Sequence, residues 1–365
     1  MHSSGKLLKM KRIAVDLFSG VGGLTCGLEG AGFDVIGAIE LDDLAAEGYR
    51  LNHPSVKLLQ KDIRKIRVAE FMREIDVVPG ELDLLAGCPP CQAFSTLRSL
   101  NGGRRVRDKM SRDLIFEFMR FVRGLKPRAI MLENVPRLRK DKRLDCVRRE
   151  LHQLGYHVIC DVLNAADYGV PQRRRRMILI ASLQAQPTFA PKVRPHRTVR
   201  DAIKDVDQWC HDDPLHAKNE KRSERILQMI KKIPIDGGSR RSLPDDVQLK
   251  CHQGFDGFKD IYGRMAWGDV APTLTSGCVN PSRGRFLHPS KHRAITLREA
   301  ALLQSFPMDY QIPLTRGKYA AARLIGNALP PEFIRRLAAP IHEALQSEHH
   351  SYTGSHENER ARRSS

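Results

Sequence analysis

From Arg12 to Ser182 the chain alternates short apolar runs with segments of helical period. The apolar runs are 12–18, 34–40, 56–59, 82–86, 128–133 and 177–181, which read as strands. Helices fit a segment ending at Gly30 and the spans 43–52, 66–75, 111–124 and 144–154. Strand–helix alternation of this kind predicts a mostly parallel sheet with helices on both faces. Ligands of such sheets bind outside the carboxyl ends of the strands, where several candidate functional residues fall. The pattern breaks after Ser182. Residues 184–293 are rich in Pro, Gly, His, Asp and Arg, and only 222–232 has clear helical period. Helical patterning returns at 296–304, with Thr296 and Glu299 spaced as a capping box, and again at 331–346. The expected organisation is an N-terminal extension (1–10), an α/β domain (11–183), a second, smaller domain of short strands and loops (184–293), a segment returning to the α/β domain (294–346) and a disordered tail (347–365).

With 365 residues, 41% hydrophobic and 28% charged, the chain is long and apolar enough to bury a sizeable core. Its apolar runs are too short to cross a bilayer, and its first residues lack the apolar core of a signal peptide. A soluble protein acting in the cytoplasm is expected. The net charge is +19, and the excess is localised. Residues 98–149 carry 17 basic against 6 acidic side chains, and residues 184–293 carry 20 against 13. A surplus of this kind points to a polyanionic partner, nucleic acid being the commonest. The eight cysteines are scattered, and only Cys88 and Cys91 lie close together. That excludes a disulfide framework, and without a second pair there is no zinc-site spacing; no metal is expected.

The turn after the first strand, Phe18-Ser19-Gly20-Val21-Gly22-Gly23, lets backbone approach a nucleotide-like ligand at a helix N-terminus. Glu40, at the end of the second strand, is placed to accept hydrogen bonds from ribose hydroxyls, and Asp62 to read an adenine amino group. Position 25 is Thr, so the dinucleotide GxGxxG pattern is not met, and the Gly-rich turn plus acid fits an adenosine-containing cofactor without specifying a pyrophosphate. After the fourth strand, Pro89 and Pro90 fix the backbone entering Cys91, holding a potential nucleophile at the cleft mouth. Glu133 ends the fifth strand. Gln172, Arg174 and Arg176 precede the Met177 strand.

These motifs, in this order, resemble those of the DNA (cytosine-5) methyltransferases. The resemblance runs from Ile13 to Ala344 and rests on Asp16-Leu-Phe-Ser-Gly-Val-Gly-Gly23, Glu40, Asp62-Ile63, Pro89-Pro-Cys-Gln92, Glu133-Asn134-Val135 and Gln172-x-Arg174-x-Arg176. Arg298-Glu299 with Gln304-Ser-Phe-Pro307, and Gly326-Asn-Ala-Leu-Pro-Pro331, complete it. It implies a Rossmann-like α/β sheet that uses S-adenosylmethionine, with a smaller, irregular target-recognition domain. It also implies methyl transfer to carbon 5 of a cytosine flipped out of double-stranded DNA within a specific short sequence. Cys91 would attack ring carbon 6, Glu133 would donate a proton to ring nitrogen 3, Arg174 would hold the base's carbonyl oxygen, and Arg176 would position Cys91 or the adjacent phosphate. Cys88 would be structural. Phe18, Ser19, Gly20, Gly22, Gly23, Glu40, Leu41, Asp62, Ile63, Pro89, Asn327 and Ala328 would line the cofactor site; position 41 is Leu where many relatives carry an aromatic.

The segment after Cys91 is read as a mobile loop closing over DNA. Gln92, Ser95, Arg98, Arg104, Arg105, Arg107 and, from the later motif, Gln172 are its expected nucleic-acid contacts. Arg240, Arg241, Arg264, Arg283 and Arg285 are candidate base or phosphate contacts in the recognition segment. The type of enzyme implied is a monomer of bacterial restriction–modification systems, with a cognate endonuclease acting independently. Three competing readings are weaker. A tRNA-methylating relative would lack the large inserted segment. A non-catalytic relative would have lost Cys91 or Glu133. A Cys-x-x-Cys oxidoreductase would not need the arginine run.

Overall fold

A computed structural model describes residues 11–90, 114–217, 222–244, 246–249 and 260–346. Seven strands form one sheet: β1 (Arg12–Leu17), β2 (Phe33–Glu40), β3 (Lys57–Gln60), β4 (Leu84–Gly87), β5 (Ala129–Asn134), β6 (His157–Asn164) and β7 (Arg175–Ser182). Their order across the sheet is β3-β2-β1-β4-β5-β7-β6. The first five are mutually parallel, whereas β7 runs antiparallel to both β5 and β6. Central strands such as β4 and β5 are buried along their whole length, as expected for a sheet covered on both faces.

The expected strands all form, with ends shifted by one or two residues. β6 is an addition. It is an edge strand with mostly half-exposed residues, and its sequence, His157-Val-Ile-Cys-Asp-Val-Leu-Asn164, shows neither a continuous apolar run nor strict alternation. Its antiparallel pairing with β7 makes the sheet mixed.

One face of the sheet is covered by α3 (Val68–Glu74), α4 (Leu114–Leu125) and α5 (Lys142–Gln153), through Phe71, Phe118, Phe121 and Leu151. The other face packs against α1 (Gly23–Gly30) and a helix over 331–346, through Leu24, Leu28, Phe333 and Leu337. Helix α2 (Asp43–Asn52) leads toward a further core. There Leu44 and Ala45 meet side chains from α6 (Val199–Ile203), α9 (Leu297–Leu303) and α10 (Lys318–Asn327). Between β7 and α9 the described residues form short helices, including α7 (Val206–Trp209) and α8 (Glu224–Lys232), joined by loops and isolated bridges. No helix among the described residues is long and apolar enough to cross a membrane.

The capping box at Thr296 and Glu299 forms as its spacing indicates. Chain direction out of the sheet reverses between β1 and β4, so the carboxyl ends of these two strands open a crevice at the switch point.

Candidate active site

The crevice is a cleft of about 640 Å³, lined continuously from Phe18, Glu40 and Asp62 to Glu133, Arg176 and Asn327. Its floor is the turn after β1. Phe18 sits at φ 63, a left-handed conformation uncommon outside glycine, and Gly22 at φ 95. A Cβ on Gly22 would lie 2.6 Å from both His53 Nε2 and the Tyr310 hydroxyl, and one on Gly23 would lie 2.3 Å from the Leu329 carbonyl oxygen. These glycines therefore permit close packing of the turn on the C-terminal segment. The Tyr310 hydroxyl donates to the Val21 carbonyl at 2.7 Å and meets His53 Nε2 at 3.0 Å, while His53 Nδ1 lies 3.0 Å from a Glu29 carboxylate oxygen. Nothing local in the sequence marks His53 or Tyr310 as a prop for the turn.

Glu40 is held by backbone amides. Its Oε2 accepts from Gly20 N at 2.8 Å, and its Oε1 accepts from Leu41 N and Asp42 N at 2.8 and 2.7 Å. Asp42 caps α2 and pairs with Arg323 at 2.9 Å on the cleft rim. Leu41 is 60% exposed there. Asp62 caps the short 3-10 turn Ile63–Lys65, and its carboxylate takes both the backbone and the side chain of Arg64, which hold it below the usual carboxylate range. Ile63, Ser19, Gly20, Pro89, Asn327 and Ala328 also line the cleft. Gly22 and Gly23 lie behind this surface, where they support the turn.

The opposite wall belongs to β4, β5 and β7. Cys88 N donates to Leu17 O at 3.2 Å, and Asn134 Nδ2 donates to Pro89 O at 2.9 Å, so both ends of the Cys88–Pro89 step are strapped to neighbouring strands. Cys91 lies outside the described residues, as do Gln92, Ser95, Arg98, Arg104, Arg105 and Arg107. Glu133 is 1% exposed. Its Oε2 accepts from the Cys88 thiol at 2.6 Å, and its Oε1 lies 2.9 Å from Arg176 Nε. That guanidinium is close enough for an ion pair but is not aimed for a hydrogen bond, which leaves Oε1 able to take a further partner. Burial and the adjacent Glu133 carboxylate push the Cys88 thiol well above its ordinary pKa.

One expectation is corrected, and one is qualified. Arg174 lines the cleft wall but is 2% exposed, and its terminal nitrogens donate to Leu274 O at 3.0 Å and Gly326 O at 3.1 Å, which leaves Nε without a hydrogen-bond partner. Arg176 is the guanidinium at Glu133. Gln172 is not a nucleic-acid contact. It is fully buried; its Nε2 donates to Leu303 O and to Gln304, and its Oε1 accepts from Leu274 N at 3.0 Å. Gln304 in turn donates to Ile325 O at 3.0 Å and Ala328 O at 2.6 Å. Together the two glutamines latch the β7 approach to α9 and α10.

Among the recognition-segment candidates, Arg264 is fully buried and donates to the carbonyls of Ile233, His288 and Ile230. Arg240 is also buried, and Arg285 braces the Gly237 and Arg264 carbonyls. Arg264 and Arg285 hold loops together. Arg241 and Arg283 are exposed.

The cleft thus joins an amide-pinned carboxylate to a buried glutamate, and the sequence that builds it matches one family over most of the chain. The sequence profile of the C-5 cytosine-specific DNA methylases aligns with residues 13–343. The chain belongs to this family. The methylase is 35% identical to the Type II methylase M.HgiDII of Herpetosiphon aurantiacus, over 95% of this chain and 98% of that relative. It is 33% identical to the Type II methyltransferase M.XorII of Xanthomonas oryzae pv. oryzae, over 92% of this chain and 85% of that one. Among solved structures, a prophage-encoded E. coli protein described as a DNA modification methyltransferase superposes with a TM-score of 0.66 at 26% identity, covering 92% of this chain and 99% of that chain. The S. pombe Dnmt2 methyltransferase shares the fold, with a TM-score of 0.58 at 21% identity over 92% of this chain and 99% of its own. The methylase thus acts on carbon 5 of cytosine in DNA, and its relatives work in restriction–modification systems.

Proposed function

We propose that the methylase uses S-adenosylmethionine to modify cytosine within a specific short sequence of double-stranded DNA, through a covalent bond between Cys91 and a flipped-out base. The observation that carries this reading is the single cleft in which Glu40 faces the Gly-rich turn at one end and Glu133 meets Arg176 at the other.

The residues present fit the cofactor. Nothing lies within 4 Å of a Cβ built on Gly20, so a ligand has room above the turn. Glu40, pinned by three amides, offers the remaining lone-pair site of Oε2 to a ribose hydroxyl, and Phe18, Asp62, Ile63 and Asn327 flank the space for an adenine. When bound, S-adenosylmethionine supplies an electrophilic methyl group. The protein's part is to make cytosine carbon 5 a nucleophile. Cys91 sulfur bonds to ring carbon 6, and the electron pair of the 5,6 double bond moves toward the ring nitrogen and carbonyl. Glu133 holds ring nitrogen 3 at its Oε1, and Arg176 stabilises the charge that develops on the base. Departure of the carbon-5 proton and of Cys91 then restores the aromatic ring. Cys88 stays out of this step because its thiol is held protonated and faces Glu133.

The methylase is further proposed to act in the bacterial cytoplasm as a monomer, beside an independent cognate endonuclease. Bisulfite sequencing of DNA from cells expressing the protein should reveal 5-methylcytosine at one short recurring sequence. A 5-fluorocytosine duplex incubated with the methyl donor should leave an adduct on the peptide containing Cys91. Unmodified DNA and no adduct would reject the proposal.

A further inference from the structure

Beyond the cleft, β5 continues through Val135 into a 3-10 helix, Pro136–Lys140, whose sequence is Pro-Arg-Leu-Arg-Lys. Pro136 starts this helix and the buried Leu138 anchors it, while Arg137 and Lys140 are exposed. The helix packs beside β7, whose first residues, the exposed Arg175 and the Glu133 partner Arg176, stand at the cleft mouth. It therefore forms a ledge immediately outside Glu133. Arg139 is half-buried on the same helix, and its charge and that of Arg148 both act on Cys160 of β6, which extends the positive field along this flank.

The charge on the ledge is not locally neutralised. The nearby Asp141 carboxylate is held by Arg143 at 2.7 and 2.8 Å. Among the described residues neither Arg137 nor Lys140 has a carboxylate partner. In a 3-10 helix positions i and i+3 eclipse, with a rise of about 6 Å between them. Arg137 and Lys140 thus project from one edge at a separation close to two nucleotide steps along a strand, about 7 Å.

We infer that the Arg137–Lys140 ledge is a docking surface for the phosphate backbone of the DNA strand that delivers the target base, with Arg137 and Lys140 contacting phosphates about two steps apart on that strand. The inference rests on the DNA-methylating function proposed above. Phosphate contacts carry no sequence information but fix register. A ledge next to Glu133 would hold the backbone still while the base between those phosphates is swung into the cleft.

The test measures binding of a mixed-sequence duplex to the full-length protein as salt is raised. Combining Arg137→Ala with Lys140→Ala should make the slope of log K against log salt shallower by about 2, since each phosphate contact contributes roughly 0.9. Thermal stability and S-adenosylmethionine affinity should stay at the parent values, showing that fold and cofactor cleft are intact. Lys57→Ala, on β3 at the opposite edge of the sheet, removes a cation without touching the ledge and should leave the slope unchanged. If the parent protein methylates duplex DNA and binds it with a steep slope, but the double variant keeps that slope, the ledge is not a phosphate contact and the function stands. An equal loss in Lys57→Ala would also overturn the inference, because bulk charge would then explain the effect. A parent protein that neither methylates nor binds duplex DNA would remove the functional reading and the ledge together.

Discussion

The Cys88 thiol donates to the Glu133 carboxylate at 2.6 Å, bridging the carboxyl ends of β4 and β5. Two thiols three residues apart are thereby separated in role. A buried thiol beside a carboxylate resists ionisation, and the thiolate is the nucleophilic form. Brief alkylation of the folded protein near neutral pH, read by peptide mass spectrometry, should spare Cys88 while modifying the exposed Cys146. Equal labelling of the two would show that Glu133 does not restrain the thiol.

Arg174 and Arg176 should separate stability from catalysis. Arg174→Ala removes two hydrogen bonds to buried carbonyls and opens a void, so unfolding free energy should fall by about 2–4 kcal/mol. Arg176→Lys keeps a cation beside the buried Glu133, so it should hold the denaturation midpoint near the parent value but lower kcat by roughly 100-fold, as expected when the guanidinium fork facing developing charge is lost. Thermal melts and single-turnover methyl transfer on the two variants check this, and the reverse pattern would return the base-holding role to Arg174.

Gln172→Ala should behave as a packing defect. It strands the Leu274 amide and one side of Gln304, at a cost of about 1–3 kcal/mol. The salt dependence of DNA binding should match the parent protein. A shallower slope would mean that Gln172 reaches the DNA after all.

Asp16 lies fully buried beneath the Gly-rich turn, where Thr25 Oγ1 donates to it at 2.7 Å, and burial pushes its carboxyl from the ordinary 3.8 up to about 8. Between those values the folded chain keeps a proton that the unfolded chain has released. The associated stability is complete at pH below 3.8 and is lost progressively as pH rises to about 8. Asp16→Asn mimics the protonated carboxyl, keeps an acceptor for Thr25 and has no proton to lose. Denaturation across this range should show the variant gaining on the parent protein as pH increases. A constant difference would place the Asp16 pKa near that of a free carboxylate.

Much of the site could be read from local chemistry. A strand followed by a Gly-rich turn, and an acid at the end of the next strand, define Phe18, Gly20 and Glu40 within a single βα unit. What supports them was not legible. Tyr310 reaches His53 across 257 positions, and Arg323 reaches Asp42 across 281. Neither partner carries a spacing signal, because such contacts depend on where α2 and the C-terminal segment pack. The arginines of 184–293 divide in a way their sequence does not show. Arginine-rich loops suggest a polyanion, yet Arg264 is consumed inside, where loop carbonyls without strand partners need donors, whereas Arg241 and Arg283 stay exposed.

Periodicity and motif order along the chain were sufficient to establish an α/β sheet and membership of the C-5 cytosine-specific DNA methylases. The direction of β7 was not contained in that pattern. An apolar strand reads alike whether it runs up or down, since side chains alternate with a period of two in either sense. Only the assembled sheet places β7 antiparallel to β5, with Met177 opposite Asn134. That reversal puts the beginning of β7 at the edge where the parallel strands end, and so brings Arg176 to Glu133, while its neighbour but one, Arg174, ties the cleft wall to the Leu274 and Gly326 carbonyls.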